Sequence, residues 1–452
     1  MNRILVCGAI WGLASALFVW GALQQGHRVN TNRHASDQSA YLGYARQLAE
    51  TNFAAVGDRA RMPIYPAVMA FLDRPGLTED EFFQRGKLAG IALAALVVAL
   101  AAGLFQYHGK LWDTTTATLV VMLTVMAYKA PYCQADVLFY GLSCLLFCLL
   151  LSLIDRPRFT TAALAGCMAG LAHLTKASVL PALGLAIGML LIRGSIAWYQ
   201  LRGADRAAGD RSALRHFGQH LGCAGLMLGC FLIVVFPYIR TSHERFGTYF
   251  YNVNSTFYVW YDSWEEAKAG TRAHGDRVGW PDLPADQIPS FKKYLREHTP
   301  LQMLTREARG LLRYALLLYF YSYGYAEFAY LYFSLLAVIY WQNRRAIDWR
   351  GAWQRRASTL AFVVLYFTGY LLLYAWFAPV SIGHRFILTL FLPAMWLAVG
   401  ALSYAQDHSL KLRLPGGKVI EAAAISPLVL IALAGYALLV FPQRIGTVYG
   451  GG

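Results

Sequence analysis

The sequence predicts an all-α polytopic membrane protein with about eleven transmembrane helices. Three observations lead there. Apolar residues make up 57% of the 452 and charged residues only 14%, whereas a soluble domain carries about 25% charge. Apolar stretches of near-spanning length recur along the whole chain. The polar loops between them gather their arginines and lysines on one side, as the positive-inside rule requires. That distribution accounts for much of the net charge of +15. The expected partners therefore include membrane lipids and exclude nucleic acid.

A span needs about 20 apolar residues. The candidates are 4–23, 86–106, 113–128, 136–154, 160–175, 177–193, 217–238, roughly 318–341, 358–377, 385–404 and 420–441. The first reads as a retained span, because its apolar core runs about 20 residues with no small-x-small cleavage site. The pair 160–175 and 177–193 is short. The stretch 308–341 is too long for one simple span, since it would reach about 50 Å. Its first part, Arg309 to Leu317, is expected to lie at the interface or to tilt.

Orientation follows from the cations. With the N-terminus in the cytoplasm, three loops fall inside. They hold Arg193, Arg202, Arg206, Arg211 and Arg215; then Arg344, Arg345, Arg350, Arg355 and Arg356; then Lys411, Arg413 and Lys418. Dropping one span would put some of them outside.

The outer face then carries two sizeable segments, 24–85 and 239–307, and two short turns, Tyr128 to Ala135 and Ala378 to His384. Within 24–85, Ser36 is a helix cap for Asp37 to Glu50. Tyr41, Tyr44, Ala45 and Leu48 form that helix's apolar face. Pro63 and Pro66 suit the first turn of a second short helix over 64–72. Two juxtamembrane helices are thus expected on the outer surface. The 239–307 segment is rich in aromatics between Tyr249 and Trp264.

The seven cysteines share no polar loop, so neither a disulfide framework nor zinc spacing is present. The 11 histidines are scattered, with no HExxH. No metal site is assigned, although a divalent cation stays open as a cofactor.

The chemistry gathers around one ordered set on the outer face. Asp37 and Tyr41 are followed by Gly57, Arg61, Pro63 and Tyr65, then by Asp136 at the opening of the fourth span and Lys176 beyond the fifth. In this order the set resembles the GT-C superfamily of membrane glycosyltransferases, in its protein mannosyltransferase and aminoarabinose transferase branch. The likeness covers roughly the first 240 residues. It implies a GT-C fold with a catalytic module over 1–240, an aromatic outer loop over 239–307 and C-terminal helices over 308–452. It also implies transfer of a sugar from a polyprenyl-phosphate carrier to a lipid, glycan or protein acceptor. Such a protein sits in the inner membrane of a bacterium with its site facing the periplasm.

The residue types agree with that chemistry. Inverting transfer needs a carboxylate to take the acceptor proton and cations to stabilise the departing phosphate. Asp37 suits the first task, with Asp136 as a second polar group; the simpler reading is that each caps a helix. Arg61, Lys176, Arg240 and Arg385 suit the second, against a reading as interfacial anchors. Tyr41, Tyr65 and His384 are phosphate donors or belt residues. Tyr258 and Trp260 are a sugar platform or a packed lid.

The competing class is a transporter or lipid flippase. Such proteins place charges and broken helices near mid-depth, whereas here the charges cluster at the ends of spans. A W-W-D-type motif is absent, which points away from an oligosaccharyltransferase.

Overall fold

The structure is a computed structural model that describes residues 3–202 and 208–447. Arg206 and the terminal Gly450, Gly451 and Gly452 lie outside the described residues, as do the side chains of Arg202, Arg211 and Arg355. Helix accounts for 75% of the structure, which makes the chain all-α. A two-stranded antiparallel hairpin, Lys411–Arg413 with Val419–Glu421, is the exception among the described residues.

Nine helices among the described residues are long and apolar enough to cross a membrane. They are Leu5–Arg28, Glu79–Gln106, Leu111–Lys129, Asp136–Asp155, Ala177–Tyr199, Leu214–Phe246, Arg356–Phe377, His384–Asp407 and Ala422–Arg444. Each contains or closely matches a predicted span.

The other two predicted spans fall outside these nine. Phe159–Thr175 is apolar but has only 17 residues, about 26 Å of helix. The segment near 318–341 is not one helix: Pro300–Tyr321 and Tyr325–Gln342 are separate. The break falls at Gly324, whose φ of +100° is a left-handed conformation that a residue with a Cβ resists.

The juxtamembrane helices form over Gln38–Glu50 and Ile64–Ala70. Leu42, Tyr44, Ala45 and Leu48 bury against Tyr65, Met69, Phe82 and Phe83, so this small core docks both helices on the bundle. Tyr41 is only half-buried. Ser36 is not the cap. It takes φ +62° and its hydroxyl accepts from the Gln134 side chain at 2.7 Å. Asp37 occupies the cap position but makes no side-chain cap bond. Gly57 fits against the Tyr44 ring, where a Cβ would stand 2.5 Å from ring carbons.

One end of the bundle gathers the 29–78 and 247–299 segments. The helix that begins before the second of these runs on to Phe246. There Phe246, Tyr251, Phe257, Tyr258 and Val380 form a separate small core. We call this the site end. At the opposite end, Lys110 pairs with Asp407 at 2.9 Å and Gln342 donates to the Arg413 carbonyl at 2.9 Å.

Candidate functional site

The site end is held together by buried polar joints. Gln38 is fully buried. Its side-chain oxygen accepts from Asn30 at 2.8 Å and from the Cys133 amide at 3.0 Å. Asn30 in turn donates to the Pro131 carbonyl at 2.8 Å. The start of the Gln38–Glu50 helix is thereby tied to the 130–135 turn that precedes Asp136. These bonds satisfy groups that would be costly to bury unpaired.

A second joint is Arg59, buried with φ +57°. Its guanidinium lies 3.9 Å from the centre of the Tyr238 ring and donates to the Tyr238 carbonyl at 3.2 Å. Its own carbonyl accepts from the Asn252 side chain at 2.9 Å. The 57–62 loop is thus fixed to the 247–299 segment.

Between these joints, Asp37 is held by two arginines. Arg61 donates to its Oδ1 in a short bond, and Arg385 donates to its Oδ2 at 3.0 Å. Burial alone would raise the Asp37 carboxyl, but Arg61 and Arg385 outweigh it and hold the group below the ordinary aspartate value. Asp136 pairs with Lys176 at 2.7 Å. The lysine lies at the break between Phe159–Thr175 and the following helix, with Phe386 4.9 Å from its Nζ.

Asp37, Tyr41, Arg61, Asp136, Lys176 and Arg385 all line one cavity of about 870 Å³. That volume suits a substrate rather than a single ion. The 247–299 segment closes the other side with Asn252, Asn254, Tyr258, Trp264, Arg272 and Arg277. Five cationic side chains and two carboxylates line the cavity, a formal excess of three positive charges. Leu180, Leu373, Phe377 and Phe386 supply an apolar wall. The cavity can therefore take an anionic group and a hydrocarbon chain together.

Four predicted site residues do not line it. Arg240 is exposed and pairs with Glu244 at 2.8 Å, one turn along its own helix. His384 is buried on the far face of its helix, where it meets the Tyr325 hydroxyl at 2.8 Å. Tyr65 is fully buried edge-on to Tyr41 at 5.4 Å, as part of the core under the juxtamembrane helices. Trp260 packs among Phe291, Tyr294 and Trp376.

Arg272, Arg277 and Asn252 went unrecognised in the sequence. Arg277 lies 3.6 Å from Asp58, which also stands 3.7 Å from Arg61. Arg272 stacks 5.1 Å from the Trp264 ring centre. The only sequence signal of the two arginines is positive charge in an outer loop, which solvated arginines share, and Asn252 gives none.

Among the described residues, no three His, Cys, Asp or Glu side chains group as a metal ion needs. Both cavity aspartates are already engaged by cationic side chains.

Fold and cavity together define an integral membrane protein with a cationic, half-apolar chamber at one end of its helices. The sequence matches no family model, no curated protein and no solved structure.

Proposed function

We propose that the protein is an inverting membrane glycosyltransferase of the GT-C type. In this reading it moves a sugar from a polyprenyl-phosphate donor to an acceptor hydroxyl at the periplasmic face of a bacterial inner membrane. The chain crosses that membrane eleven times. Since no comparison with known proteins supports the family, one observation carries the proposal: Asp37, Arg61, Asp136, Lys176 and Arg385 converge on one cavity that also has an apolar wall.

The polyprenyl chain lies along Leu180, Leu373, Phe377 and Phe386, and its phosphate faces Arg61, Arg385 and Lys176. The acceptor oxygen bonds to the anomeric carbon while its proton passes to Asp37. The bond from that carbon to the phosphate oxygen breaks, and its electron pair leaves on polyprenyl phosphate. The guanidinium groups stabilise the charge that develops there. Asp136, held by Lys176, orients the acceptor.

At rest, Asp37 is a poor base because two arginines bind it. The donor phosphate competes for the same arginines and frees a carboxylate oxygen beside the reacting sugar.

The test is transfer by purified protein from a panel of synthetic polyprenyl-phosphate sugars, with Asp37→Asn as control. Transfer by Asp37→Asn at the wild-type rate removes the base assignment. If no donor is consumed and the protein instead carries a solute or lipid across vesicles, the transporter or flippase reading replaces this one.

A further inference from the structure

The helix Pro300–Tyr321 does not cross the bundle. Near its start, Arg306 donates to the Trp376 carbonyl at 3.0 Å, and Gly310 backs onto the Ala375 carbonyl, both at the site end of the Trp349–Phe377 helix. Just past its end, Tyr325 meets His384, also at the site end. Both ends therefore lie at one level, and the helix runs along the edge of the bundle.

Its faces differ. Arg306, Gly310 and Tyr314 are buried against the bundle. Leu304, Leu311, Leu312 and Tyr319 are exposed on the opposite side, with Leu304 at 68% and Tyr319 at 76%. In a membrane protein, an exposed apolar face at this level meets lipid. Arg309 and Arg313, four residues apart, share the flank between those two faces.

That flank borders a second cavity of about 490 Å³, lined also by Asp262, Tyr294, His298 and Thr305. Asp262 is already satisfied: it accepts from Arg306 at 2.7 Å, Tyr294 at 3.0 Å and His298 at 2.7 Å. Arg309 and Arg313 are exposed and make no ion pair among the described residues. The 377–381 turn separates the two cavities, with Pro379 on this one and Val380 and Ser381 on the first.

We infer that this second cavity binds the phosphate headgroup of an anionic membrane lipid. Arg309 and Arg313 hold the phosphate oxygens, and the acyl chains cover the leucine face of the same helix. Two unpaired guanidinium groups next to lipid-facing leucines fit a phosphate that arrives with hydrocarbon attached. The site is independent of the first cavity, so its test does not require any reaction.

The experiment is native mass spectrometry of the full chain, delipidated in neutral detergent and titrated with phosphatidylglycerol. Phosphatidylcholine and inorganic phosphate form separate arms. The wild type is expected to retain phosphatidylglycerol in preference to phosphatidylcholine, and millimolar free phosphate is expected not to displace it. The Arg309→Gln/Arg313→Gln variant should bind it about tenfold more weakly or worse, as loss of two headgroup cations predicts, while Arg309→Lys/Arg313→Lys keeps part of the affinity. Undiminished binding by the glutamine variant overturns the site. Displacement from the wild type by free phosphate also overturns it, because the site would then take a free anion. That second arm needs no variant to fold.

Discussion

Asp37 and Arg385 stand 348 residues apart in the chain and meet at 3.0 Å. The contact joins the first polar loop to the first turn of His384–Asp407, so the two halves of the molecule share one carboxylate. Arg61 completes the clamp from the other side. A carboxylate between two guanidinium groups is a reluctant acceptor of protons, because both cations favour its ionised form.

If the proposed transfer is the activity, Asp37→Asn should lower it by about a hundredfold or more, the usual span for a lost general base. It should leave donor binding intact or tighter, because the substitution releases both arginines. Single-turnover transfer and equilibrium binding of a donor analogue separate the two effects.

The pH dependence of stability has opposite signs at two aspartates. The Asp37 carboxyl is held below its ordinary value despite burial. Its stabilising contribution is complete above the ordinary aspartate pKa and disappears as pH falls through the lowered folded value. Asp276 differs: burial raises its carboxyl, and neither oxygen has a hydrogen-bond partner among the described residues. A raised carboxyl loses stability as pH rises from the unfolded to the folded pKa. Asp276→Asn should therefore raise the thermal midpoint at neutral pH and have little effect in strong acid. Thermal unfolding across pH 3 to 7, roughly the window for carboxylates, reads both.

Lys176→Met should destabilise the protein by about 3 kcal/mol, because it strands the buried Asp136 without its partner. Adding Asp136→Leu should recover much of that stability and none of the transfer. Chemical unfolding of the single and double variants checks the first statement, and a transfer assay checks the second.

Gly57→Ala places a methyl group 2.5 Å from the buried Tyr44 ring. The loop carrying Arg59 and Arg61 must shift, at a cost of about 1–3 kcal/mol. Thermal unfolding should show the loss, and weakened donor binding should accompany it. Arg240→Ala, by contrast, should change transfer less than twofold, roughly the scale of surface substitutions.

The fold was legible because hydrocarbon length is written in composition: nine predicted spans coincide with long apolar helices. The break in 318–341 was not, because a lone Gly324 in Ser-Tyr-Gly gives no helix-stop signal beyond one residue. Within the site, Asp136, Lys176 and Arg385 could be read because each lies at the end of an apolar stretch, and such ends share a level, while Asp37 and Arg61 could be read from their place in the outer loop 24–85. Level does not fix direction. His384 and Arg385 are neighbours, yet about 100° of helical rotation sends one into the protein and the other into the cavity. Arg272 and Arg277 stayed hidden because the path of the 247–299 segment depends on joints such as Arg59 with Asn252, contacts between residues nearly 200 positions apart.

The Gln38 amide has a consequence for what the cavity can accommodate. Through Asn30, Pro131 and Cys133 it makes the ground beneath Asp37 and the ground beneath Asp136 a single stiff piece. The facing wall hangs from a different anchor, at Arg59. The chamber is built like a vice, with one jaw cast and one jaw mounted. Substitutions in the mounted jaw are expected to alter the opening and to leave the gap between the two carboxylates unchanged.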